Sequence, residues 1–158
     1  MALYSSNNRT GGAQQVLTTT FKTQLNIVGA TTFRTRIWEF SMGADGAPNA
    51  TDCQIVYDVG NKDATAAGTP GAAATISKLN PADRTATLVV SPNYTAEGTV
   101  WTPNVTISLN QRASQRWVAF GPDQGIVMAA TASLGLGCRA LSPTYASNVL
   151  VDFIYEEV

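Results

Sequence analysis

From residue 16 onward, period-two alternation of apolar and polar side chains dominates the chain, and no stretch holds helical spacing over a useful length. Val105, Ile107 and Leu109 alternate with Thr106, Ser108 and Asn110, which puts an apolar row on one face of a strand and a hydrogen-bonding row on the other. Val149, Val151, Phe153 and Tyr155 form a second such row, backed by a mixed face of Leu150, Asp152, Ile154 and Glu156 that a neighbouring element is expected to cover in part. Further strands are predicted over 16–25, 33–42, 53–59, 75–79, 85–91, 117–120, 125–130 and 134–141. Asp45-Gly46, Pro70-Gly71, Asn80-Pro81, Glu97-Gly98, Gly121-Pro122-Asp123 and Ser142-Pro143 supply the turns.

Short strands joined by such turns, without crossover helices, predict an all-β, antiparallel two-sheet β-sandwich. The expected form is jelly-roll-like or immunoglobulin-like, with about 8–10 strands. The segment 63–74, DATAAGTPGAAA, lacks large apolar residues and reads as a surface excursion. Residues 5–15, SSNNRTGGAQQ, have nothing to bury, so residues 1–15 are predicted to be an extended N-terminal arm, with Leu3 and Tyr4 as its apolar anchor, ahead of a single domain over 16–158.

Composition narrows the functions. The chain has 158 residues, enough for one cored domain, and only 13% are charged, about half the usual share. About 20 threonines, together with Ser, Asn and Gln, must make the surface polar, and such a surface costs less to desolvate against a partner than one of Lys and Glu. With a net charge of −1, neither nucleic acid nor an anionic membrane is an expected partner. The start, MALYSSNN, does not read as a signal peptide, so synthesis in a cytoplasm is expected. Cys53 and Cys138 then read as two buried free thiols.

The chain contains no histidine, the side chain that most often serves as general base and metal ligand near neutral pH. The lysines Lys22, Lys62 and Lys78 have no serine at a catalytic spacing. A carboxylate pair is the surviving enzymatic idea, with Glu39, Asp152, Glu156 and Glu157 on strands. Glu156 and Glu157 point to opposite faces and read as a solubilising chain end. The acidic loops 45–52 and 58–63 do not match calcium-site spacing, and sequons at Asn8, Asn49, Asn93 and Asn104 fit chance. No catalytic residue, metal or cofactor is therefore expected. Arg34 and Arg36 are predicted to share a strand face with Trp38 and Phe40, and Arg112 and Arg116 flank Trp117. Arg34, Arg36, Arg112, Arg116 and Trp117, with Leu3, Tyr4 and Arg9 of the arm, are the candidate interface. Trp38, Trp101 or Trp117 as a sugar-stacking platform is the alternative, a carbohydrate-binding module.

The final stretch, GPDQGIVMAATASLGLGCRALSPTYASNVLVDFIYEE, has a Gly-Pro turn, an Ala/Thr-rich strand, a Gly-interrupted strand, a Ser-Pro-x-Tyr loop and a closing alternating strand. In this it resembles the ends of small β-sandwich virion proteins of tailed bacteriophages, most closely the capsid decoration or cement proteins. The resemblance implies a jelly-roll-like protein on the surface of the virion, commonly a homotrimer, that clamps neighbouring copies of the major capsid protein. It brings no catalytic residues with it.

Overall fold

The structure is a computed structural model that describes residues 2–63, 68–121 and 123–158. Residues 64–67 of the predicted excursion, Pro122 of the Gly-Pro turn and Met1 of the predicted arm lie outside them. Thirteen strands and no helix occur among the described residues. They are β1 (Ala2–Asn7), β2 (Lys22–Val28), β3 (Thr35–Ala44), β4 (Gln54–Asp63), β5 (Gly68–Thr69), β6 (Ser77–Lys78), β7 (Val89–Pro92), β8 (Ala96–Glu97), β9 (Trp101–Asn110), β10 (Ser114–Val118), β11 (Ile126–Met128), β12 (Leu134–Leu141) and β13 (Val149–Glu157). Ten have three residues or more, at the upper end of expectation, and β5, β6 and β8 are two-residue pairings.

Two antiparallel sheets pack face to face. Sheet A runs β10-β3-β13-β1-β6, with β11 also on β3, and sheet B runs β7-β2-β12-β4-β9. The antiparallel pairs are nested along the chain: β1 with β13, β2 with β12, β3 with β10 and β11, and β4 with β9. Alternate pairs lie in opposite sheets. A long hairpin rolled in this way is the jelly roll, two interlocked Greek keys. Residues 68–100, between β4 and β9, supply β6 and β7, which add to the β1 and β2 edges.

The alternation dictates the core. Val149, Val151, Phe153 and Tyr155 all point inward with no exposure, opposite Leu25, Ile27, Ile55, Tyr57 and Leu136 of sheet B. Val105, Ile107 and Leu109 face the same core from the margin and are half-buried, because β9 ends its sheet. Phe40 stacks on Trp117 at 5.0 Å between centroids and meets Phe153 edge-on. All five tyrosines are buried. Cys53 and Cys138 are free and buried, and burial pushes the Cys138 thiol well above its ordinary value.

Three expectations are corrected. The predicted arm is not one: β1 pairs along its whole length with β13, and Tyr4 is buried with its hydroxyl donating to the Arg84 carbonyl. Asn8 continues the strand through its side chain, donating to the Val149 carbonyl at 2.9 Å and accepting from the Val151 amide at 3.0 Å. A short polar-flanked strand is held here because its partner, β13, carries a fully buried apolar row of Val149, Val151, Phe153 and Tyr155.

Glu156 and Glu157 are not a solubilising end, since both are buried. Glu156 pairs with Arg36 at 3.0 Å, while one Glu157 oxygen accepts from the amides of Thr87 (2.7 Å) and Leu88 (2.9 Å) and from the Thr87 hydroxyl (2.8 Å). These bonds hold 87–88 away from a ladder, so β7 starts at Val89 rather than at residue 85. Likewise the Thr18 hydroxyl accepts from the Thr20 amide, a local turn that delays β2 to Lys22.

The third correction concerns β3. A bulge makes Trp38 an extra residue between Ile37 and Glu39, which pair with Tyr155 and Ile154. Phe40 is thereby turned into the core while Arg36 lies over the Trp38 ring at 5.6 Å, so the expected shared face of Arg36, Trp38 and Phe40 does not form.

Candidate interaction surface

The outer faces of the two sheets differ in chemistry. On sheet B, β12 carries Gly135, Gly137 and Arg139 outward, beside Asp58, Gly60 and Lys62 of β4 and Asn26 of β2. A side chain at Gly137 would lie 2.5 Å from the Leu25 carbonyl, and one at Gly60 would lie 2.3 Å from that of Thr102. The flat glycine floor lets polar side chains lie down and bury. Arg139 makes two bonds to Asp58, at 3.1 and 2.8 Å, with its guanidinium 4.1 Å from the Phe21 ring and 4.8 Å from that of Trp101.

Lys62, only 2% exposed, points its ammonium at the Tyr94 ring 4.1 Å away and donates to the Thr23 hydroxyl at 3.0 Å. Glu97 lies 3.5 Å from it and accepts from the Thr23 amide. Burial holds the Lys62 amine below its ordinary value, and Glu97 only partly offsets this. These groups are consumed by the fold: Tyr94 and Glu97, from residues 68–100, are fastened onto the sheet through them.

Sheet A presents a plainer outer face. Ser5, Leu150, Asp152, Ile154, Glu39 and Ser41 are half-buried neighbours on it. Arg116 crosses to Glu39 with two bonds of 2.6 Å, which hold the Glu39 carboxyl below the usual carboxylate range. Burial raises the Asp152 carboxyl, against a bond from the Ser5 hydroxyl. None of the four strand carboxylates stands free to act as one of a pair: Glu39, Asp152, Glu156 and Glu157 each have protein partners. The loop carboxylates are engaged too, Asp45 by Arg9 and Gln14, and Asp52 by Arg112.

The predicted interface residues do not converge on one patch. Leu3 and Tyr4 belong to β1, and the Leu3 carbonyl accepts from the Leu79 amide. Arg9 is exposed and paired with Asp45, and Arg34 is exposed on a backbone that exchanges two bonds with Val158. Arg36 is turned to Glu156, and Arg112 is fastened to Asp52 in the turn after β9. Arg116 is an exposed member of β10, while Trp117 beside it faces the core. The three indoles are likewise engaged, Trp38 by Arg36, Trp101 by Arg139 and Trp117 by Phe40.

What the sequence reading missed lies at the sheet edges. β1 is flanked by β6 and β2 by β7, and the outer edge of β3 is shared by β10 and β11. β9 ends sheet B with ten residues, WTPNVTISLN, none of them charged. Exposed apolar residues precede and follow these edge strands: Val100 before β9, Val118 at the end of β10, and Phe120, 95% exposed, two residues on. Their signal was present in the sequence as an uncharged run, but exposure depends on which strand ends the sheet. Comparison with protein-family models, with curated proteins and with solved structures finds no match to this chain.

Proposed function

We propose that this protein is a structural component of a bacteriophage virion that binds the outside of the assembled head and stabilises contacts between major capsid proteins. The observation that carries the proposal is the side chain of Phe120, 95% exposed beside Val118 on a molecule whose arginines are mostly paired within it. Burying an exposed phenylalanine contributes about 1.5–3 kcal/mol, and interfaces are commonly anchored by a few such aromatic residues. The jelly-roll connectivity is one that capsid-associated domains use, which favours the reading as analogy. The resemblance of residues 121–157, which form β11, β12 and β13, points the same way.

A clamp that binds only the assembled shell stabilises it by mass action. The low charge suits permanent contact, since little solvation is lost on burial. The sugar-platform alternative is disfavoured because the tyrosines are buried and the indoles are covered by Arg36, Arg139 and Phe40.

The test is a binding titration of the purified protein onto expanded phage heads. Wild type is expected to saturate them, and Phe120→Ser to bind at least tenfold more weakly with an unchanged unfolding midpoint. Equal binding of the two proteins, or no binding of either, overturns the proposal.

A further inference from the structure

We infer that the β9 edge is a self-pairing surface, taking the β9 strand of a second copy of this chain antiparallel about a two-fold axis at Ile107. The Gln111 amide donates to the Cys53 carbonyl at 2.9 Å, with Asn110 opposite Gln54. In an antiparallel ladder the direction of the backbone groups alternates, so Leu109, Ile107 and Val105 also turn theirs toward β4. Those of Thr106 and Ser108 turn away from the sheet, and no described strand receives them, while the Asn110 carbonyl accepts from the Ala113 amide in the turn that follows.

A soluble protein ordinarily blunts such an edge with charge, proline, a short strand or a covering segment. This chain does so elsewhere. β6 and β7 cover two edges, and the fourth is divided between the short strands β10 and β11, with Arg116 on the first. On β9 the device is a single proline at the start of the strand, Pro103.

The occupant follows from complementarity. With the axis at Ile107, Thr106 faces Ser108 of the second copy and Ser108 faces its Thr106, each offering outward backbone groups to the other. Val105 meets Leu109 and Ile107 meets itself on the core side, which completes the covering of three residues that the monomer leaves half-buried. Asn104 meets Asn110 at the ends. Every cross-strand pair matches apolar with apolar or polar with polar, and no charge is opposed. Pro103 at one end and the turn at Gln111–Ala113 at the other bound the stretch, and the two-fold sets one against the other. Two five-strand sheets then become one continuous ten-strand sheet. This inference does not rest on the virion reading, and it replaces the implied trimer with a two-fold contact.

Sedimentation velocity of the purified full chain over a wide concentration range tests it. Wild type should populate a dimer that grows with concentration. Ser108→Pro removes only an outward amide and should remain monomeric with an unchanged unfolding midpoint. Should that variant misfold, Ser108→Lys, at an exposed site, should weaken association at least tenfold. Ile107→Cys should cross-link to a dimer on oxidation, because residues facing across a non-hydrogen-bonded pair lie about 4.5 Å apart at Cα, within disulfide reach. A wild type that stays monomeric, an oligomer indifferent to both Ser108 variants, or no cross-link at Ile107→Cys overturns the inference. A monomer that still saturates phage heads overturns this inference alone and leaves the virion proposal standing.

Discussion

Lys62 shows how much of the surface chemistry this fold spends on itself. Its ammonium is buried against the Tyr94 ring and the Thr23 hydroxyl, with Glu97 beyond normal hydrogen-bond length. Because burial lowers its folded pKa, the unfolded chain binds more protons between that value and about 10.4, the ordinary lysine value, and stability rises with pH across this window. Below the folded value the penalty is constant. Lys62→Met keeps most of the stem and removes the buried charge, while Glu97 retains its bonds from Thr23. The variant is expected to be at least as stable as wild type at pH 7, with the difference shrinking toward pH 10, as read from urea midpoints. A loss above about 2 kcal/mol at pH 7 would show the pair to be net stabilising. The sequence displayed Lys62 only as one of three lysines; its burial depends on residues 68–100 folding back over β4, a non-local event that no local pattern encodes.

At the scale of elements, the strands readable from sequence are those whose faces differ. β12 was expected at 134–141 and is found there, and the inward row of β13 is fully buried. β1 was not readable, because ALYSSN alternates weakly and its polar members Ser5 and Ser6, like Asn8 just beyond it, are matched by specific side-chain bonds. The Trp38 bulge likewise arises from the pairing of β3 with β13 and leaves no mark on the β3 pattern. The consequence for truncation is direct. Deleting residues 1–8 strips the β13 edge of its partner and opens space around Tyr155, against which Tyr4 packs at 5.8 Å. The truncated chain is expected to be insoluble or molten, with lost near-ultraviolet dichroism; a soluble, cooperatively unfolding product would refute the placement of β1.

For the whole molecule, the absence of histidine acquires a physical role. No side chain has an ordinary value between pH 5 and 8, and the shifted groups found are an amine, a guanidinium, phenols, a thiol and carboxylates, each of which ordinarily titrates outside that range. The fold class and the low surface charge were readable from the sequence, whereas the location of the interaction surface was not, since it is set by which strand closes each sheet. Phe120 and Val118 are left exposed for another molecule, and the β9 edge for a second copy of this chain. The central claim is that the molecule meeting Phe120 and Val118 is a phage shell. Quantitative mass spectrometry of gradient-purified particles, with immunogold labelling of intact heads, tests it most directly. The account predicts that this chain co-sediments with DNA-filled heads in constant ratio to the major capsid protein and is labelled on their outer surface. A chain absent from purified particles, or present only in the soluble fraction of infected cells, would contradict it.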